Sequence, residues 1–133
     1  MPTAADEVVG DYVPPVADPA ALPEVLARFL ASFSAAELAA GAALAAAALD
    51  RYARPAEAAT RELIVTHNFV VAWFVRHALD APDWRWLGLN LGNCALTVVA
   101  YGEDRPPTLV AVNDLAHLPP ALRWTGFPAD QHV

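Results

Sequence analysis

The chain has 133 residues, enough for one domain and too few for two, and 56% of them are hydrophobic, with a mean hydropathy of +0.32. That composition supports a packed core and excludes a disordered chain. A net charge of −7 excludes a general nucleic-acid binder, which needs a basic face, and the single cysteine, Cys94, excludes an intramolecular disulfide and a cysteine-based metal cluster.

The opening MPTAADEVV carries acid where a signal peptide carries base. No apolar run reaches the roughly 18 to 20 residues that span a bilayer. The expectation is a soluble, cytoplasmic protein with no membrane partner, folded as a single domain over 1–133.

Residues 1–18 read as irregular, and VPPV at Val13 to Val16 as extended, because proline lacks a backbone donor and biases its predecessor away from helix. Asp18-Pro19 has the form of an N-cap followed by proline at the first helical position. A helix is expected from about Pro19 to Phe33, with Leu22, Val25, Leu26, Phe29, Leu30 and Phe33 on its apolar face and Pro23 tolerated late in the first turn. Ser34-x-x-Glu37 fits a capping box, and the alanine- and leucine-rich stretch Ala35 to Tyr52 is a second helix. Ala53 to Thr60 is a linker.

Glu62 to Thr66 is a short apolar run with the length of a buried strand. The pattern then changes: Phe69, Val70, Trp73, Phe74, His77 and Ala78 recur at helical spacing. His67 and Asn68 sit at the changeover, where the carboxyl end of a sheet meets free backbone N–H groups and an anion is favoured. His67 is therefore the best-placed functional side chain. Ala81 to Trp86 is a turn, Ala95 to Tyr101 and Thr108 to Val112 are strands, and Gly102 to Pro107 is the turn of a hairpin between them. The hairpin returns the chain towards its start and brings Asn93 near Asn113, Asp114 and His117. Leu118, Leu122, Trp124 and Phe127 in the proline-punctuated tail are expected to pack on the domain. His67, His77, His117 and His132 lack ligand spacing, so no metal is expected, and no serine or cysteine has the setting of an activated nucleophile. Nor does a glycine-rich phosphate loop precede His67, so no nucleotide cofactor is expected.

The order of features resembles the histidine phosphatase (phosphoglycerate mutase-like) superfamily. The resemblance rests on LIVTHNFVVAWFVRHALDAP at Leu63 to Pro82, LNLGNCALTVVAY at Leu89 to Tyr101 and LVAVNDLAHLPP at Leu109 to Pro120. The Thr-His-Asn junction is similar to the family's second catalytic histidine motif, commonly Ser-His-Gly after a strand. The resemblance implies an α/β, three-layer sandwich with a mostly parallel sheet and a C-terminal hairpin. It also implies phosphomonoester hydrolysis through a phosphohistidine. In that family one histidine, in an Arg-His-Gly motif, attacks phosphorus; a second histidine and two arginines bind the phosphoryl oxygens; an acid protonates the leaving oxygen. Neutral imidazole is a good nucleophile near neutral pH, and fixed cations stabilise the transferring charge.

Carried over, His67 matches the second histidine. The acid falls on Asp6, because Asp6-x-x-x-Gly10-x-Tyr12 resembles Glu-x-x-x-Gly-x-Trp, with Glu7 one residue off as the alternative. Asn68, Asn93 and His117 are the expected substrate-binding residues, and a small phosphorylated substrate or inorganic phosphate is the expected ligand. The 133 residues contain no Arg-His-Gly and no second phosphate arginine motif. The resemblance therefore implies the C-terminal part of such a domain, inactive alone. The rival reading is a non-catalytic protein-binding module, working through an exposed sheet edge that also favours a homodimer.

Overall fold

The computed structural model describes residues 3–128, 130 and 132. Three helices and a two-stranded antiparallel sheet make up its regular structure: α1 (Glu24–Leu30), α2 (Ala35–Tyr52), α3 (Asn68–Ala78), β1 (Leu96–Gly102) and β2 (Arg105–Asp114). α3 touches α2 on one side and both strands of the hairpin on the other. Its middle position explains its composition: Val70, Ala72, Trp73 and Val75 are buried, so the helix is apolar over most of its circumference.

The α/β composition holds, but a mostly parallel sheet does not. The only sheet among the described residues is the antiparallel hairpin β1–β2. Glu62 to Thr66, expected as a buried strand, forms no strand and pairs with none, and Leu63 and Val65 are 65% and 88% exposed. Its β-branched sequence favours an extended chain, yet no neighbouring strand lies alongside to complete a ladder. What holds its end is a side chain: Thr66 Oγ1 donates to the Val9 carbonyl at 2.6 Å.

The long first helix expected over 19–33 is also corrected. Pro19–Ala21 forms only a 3₁₀ turn, Asp18 makes no side-chain cap, and Leu22 is extended at φ −78°, ψ 154°. The cause is Pro23, whose ring disfavours a helical predecessor; it stands just outside α1, not inside a longer helix. The capping box at α2 forms as the sequence indicates, with Ser34 Oγ accepting from Glu37 N and the Glu37 carboxylate accepting from Ser34 N.

The core gathers around one close approach. At Gly41, inside α2, a Cβ would lie 2.0 Å from the Val13 carbonyl oxygen, so the helix backbone rests directly on the VPPV segment. Pro15 O accepts from Trp86 Nε1 at 3.3 Å, and Ala17 N donates to Asp83 Oδ2 at 2.6 Å, fixing the same segment to the turn after α3. Trp73 Nε1 donates to Ala45 O at 3.2 Å, joining α3 to α2. Phe29, Phe69 and Trp86 form a row of aromatic contacts, the first edge-to-face and the second tilted, with centroids 5.8 and 5.1 Å apart.

The hairpin is longer than the sequence pattern indicates. β2 begins at Arg105 and includes Pro106 and Pro107. Both prolines fall where the pairing with β1 is irregular, between Ala100 and Gly102, and the strand also has a free edge. The tail is less packed than expected: Leu122, Trp124 and Phe127 remain 56%, 56% and 51% exposed. No single helix among the described residues is long and apolar enough to cross a membrane; α1 and α2 meet the length only together, across a 96° bend.

Candidate active site

His67 is the N-cap of α3, extended at φ −99°, ψ 160°, and its side chain does not cap the helix. The first helical bond runs from Val71 N to His67 O at 3.1 Å. The N–H groups of residues 68–70 therefore have no partner within the helix, at the end where the helix dipole is positive. An imidazole beside open N–H donors is an arrangement that suits an oxyanion.

Both neighbours of His67 in sequence are anchored. Thr66 ties the residue before it to Val9. Asn68 Oδ1 accepts from Leu91 N at 3.0 Å, so its side chain holds the loop before β1 and leaves its backbone N–H at the site. The next residue of that loop is held from the far side: Gly92 N donates to Asn113 Oδ1 at 2.7 Å. Asn113 sits in the left-handed region at φ 55°, a conformation asparagine tolerates better than most residues. Two asparagines thus clamp Leu91 and Gly92 between the start of α3 and the end of β2.

Because Thr66 is tied to Val9, Asp11 comes beside the site. Asp11 Oδ2 lies 3.7 Å from His67 Nδ1, with both side chains more than half exposed. That is electrostatic contact, too long for a hydrogen bond. Nothing in the local sequence pattern marks Asp11 as the carboxylate nearest to His67.

Asp6 is engaged elsewhere. Its carboxylate accepts from Tyr52 Oη at 2.5 Å, pairs with Arg51 at 2.8 Å and accepts from Val8 N at 3.3 Å. The Tyr52 hydrogen bond, with help from Val8 N and Arg51, holds its carboxyl below the usual carboxylate range. Asp6 thus joins the N-terminal turn to the end of α2. Glu7 is exposed in the same turn. Asn93 is exposed and faces the tail: its backbone N donates to Trp124 O at 2.8 Å, and its side-chain amide lies against Gly126. His117 is exposed in the turn after β2. No hydrogen bond or ion pair joins Asn93 or His117 to His67 among the described residues. It is Gly92, not Asn93, that meets Asn113. His77 lies within α3, its basicity lowered by burial and by the neighbouring Arg76. Among the described residues no group of three His, Cys, Asp or Glu side chains is placed to hold a metal.

Comparison with known proteins gives this geometry its context. The family model of the histidine phosphatase superfamily (branch 1) matches residues 23–115. The serine/threonine-protein phosphatase Pgam5, mitochondrial, of Caenorhabditis elegans is 39% identical over 59 residues, 44% of this chain and 21% of that protein. Its counterpart in Caenorhabditis briggsae is 37% identical over the same shares. The aligned region is thus about a fifth of the length of these relatives. Both are named as mitochondrial proteins, which overturns the cytoplasmic location inferred from the acidic opening residues. The charge of the first residues of the sequence carries no information about cellular address.

Proposed function

The chain belongs to the histidine phosphatase superfamily, and from that premise we propose that it supplies the phosphoryl-binding half of a phosphomonoesterase site, with His67 as the binding histidine. The observation that carries this reading is the position of His67, itself extended, at the N-terminus of α3, which its side chain does not cap. The imidazole and the N–H groups of residues 68–70 hold the phosphoryl oxygens. Asn68 keeps its side chain on Leu91 and so preserves the turn that presents those donors. The acid role that the motif assigns to Asp6 is left out of the proposal, because Tyr52 and Arg51 hold that carboxylate ionised.

From the names of the relatives we infer the substrate class and location: phosphoserine or phosphothreonine side chains of proteins, in mitochondria. Residues 1–133 contain no Arg-His-Gly nucleophile motif, so the proposal includes no turnover by these residues alone. The test is an NMR titration with inorganic phosphate. It is expected to shift the His67 ring resonances at millimolar anion, and His67→Ala removes the response of the Asn68 and Phe69 amides. No shift anywhere near residues 67–70 contradicts the reading.

A second reading has one specific observation in its favour. Leu63 and Val65 are exposed on an apolar segment that pairs with no strand, and Val110 is 64% exposed on the hairpin. Such surfaces pair with another strand. On this reading the chain is a non-catalytic protein-binding module that also dimerises, and Val65→Lys abolishes the association in sedimentation. A monomer at every concentration counts against it.

A further inference from the structure

A groove of about 380 Å³ opens beside His67, between the segment that carries Asp11 and the first half of α2. It shares two features with the site. Asp11 lines it and is also the carboxylate nearest His67, and Phe69, the second residue of α3, forms part of its wall. Tyr12, Phe33 and Leu44 add apolar surface, and Glu37 stands on its rim. No lysine or arginine lines it. The volume falls within the range of ligand pockets, roughly 300 to 1,000 Å³.

The charge pattern sets a problem that only some ligands solve. A phosphoryl group bound at His67 lies close to the Asp11 carboxylate, and like charges repel. Arg51, near the N-terminal turn, is paired with Asp6. Glu37 cannot relieve the repulsion, because hydrogen bonds from the Ser34 hydroxyl and the Ser34 backbone hold it below its ordinary value. A ligand that brings its own cation beside the phosphate compensates Asp11 and Glu37, and one that brings an apolar side chain covers the aromatic wall.

We propose that this groove is a substrate subsite, taking an apolar residue and an adjacent basic residue that flank a phosphorylated side chain in a protein substrate. The proposal rests on the phosphoryl-binding reading of His67 and adds the residues next to the phosphate. Specificity follows from charge complementarity and from contact with Phe69 and Tyr12, with an acidic flanking sequence rejected by Asp11 and Glu37.

The test uses the 133-residue chain and two blocked tripeptides, Arg-Leu-phosphoserine and Glu-Leu-phosphoserine, with inorganic phosphate as reference. The expected result is binding of the basic peptide about fivefold or more tighter than the acidic one. Its titration shifts the Phe69 and Tyr12 rings together with His67, whereas phosphate leaves those two rings unshifted. Glu37→Gln keeps the capping box, since glutamine serves at that position, and removes the charge. It is expected to reduce the preference while leaving the phosphate response intact. Ala40→Lys, an exposed position on the groove, is expected to remove it. Equal binding of the two peptides, or no shift of the Phe69 and Tyr12 rings with the basic one, overturns the subsite. Groove shifts with the basic peptide, but no response of His67 to phosphate, uphold the groove and overturn the phosphoryl reading instead.

Discussion

Replacing Gly41 by alanine sets two physical effects against each other, and the structure decides which wins. In a solvent-exposed helix interior the change is stabilising by about 1 kcal/mol, because glycine loses more backbone freedom on folding than alanine. At Gly41 the new methyl group falls 2.0 Å from Val13 O and 3.0 Å from Val13 C, both backbone atoms. No side chain can turn aside to make room. Either α2 moves outward or the VPPV segment yields, and that segment is fixed by Trp86 at Pro15 and by Asp83 at Ala17. Overpacking of this kind costs about 1 to 3 kcal/mol, more where the backbone must shift. Gly41→Ala is therefore expected to destabilise by about 1 to 2 kcal/mol net, lowering Tm by about 3 to 8 °C for a chain of this size. Thermal unfolding followed by circular dichroism measures it. The exposed position Ala46 in the same helix is the control, where Ala46→Gly is expected to cost about 1 kcal/mol. A rise in Tm for Gly41→Ala refutes the close approach of α2 to Val13.

Tyr52→Phe removes the hydrogen bond chiefly responsible for the depressed Asp6 carboxyl. Because the folded value lies below the unfolded one, Asp6 contributes stability above about pH 4 that is lost as pH falls through its lower native value. Urea unfolding at a series of pH values between 2 and 7 should therefore show a smaller acid loss in Tyr52→Phe than in the parent chain; an unchanged acid limb counts against the pairing. Asn113→Ala leaves Gly92 N without its acceptor and puts alanine at φ 55°. Together these are expected to cost about 2 to 4 kcal/mol and to speed hydrogen exchange at the Gly92 and Leu91 amides. Exchange that stays slow at both positions shows that the clamp does not hold the loop.

Local chemistry was readable where a single segment decides it. Ser34 and Glu37 announce the start of α2 because the capping box is closed within four residues of sequence. The changeover at His67 and Asn68 is visible because helical periodicity begins there, and the hairpin shows as two β-rich runs flanking a proline-containing turn. The errors arose where a partner decides. Glu62 to Thr66 has the composition of a buried strand, but burial and pairing need a neighbour that composition cannot supply. By spacing Pro23 fits late in the first turn of a helix, whereas its effect on Leu22 ends the preceding turn. Asp6 matched a motif by spacing, and its real partners, Tyr52 and Arg51, lie more than forty residues away in α2. Asp11 reached His67 through Thr66 and Val9, a contact spanning 57 positions that no sequence window contains.

The central claim is that His67 binds a phosphoryl group and does not attack it. The direct test is to incubate the 133-residue chain with an excess of p-nitrophenyl phosphate, follow nitrophenolate release, and quench portions for phosphohistidine detection by mass spectrometry. The account predicts release at the background rate and no phosphate on His67, in the wild-type chain and in His67→Ala alike. Turnover well above background, with phosphohistidine trapped at His67 and both lost in His67→Ala, would make that residue the nucleophile and contradict the account.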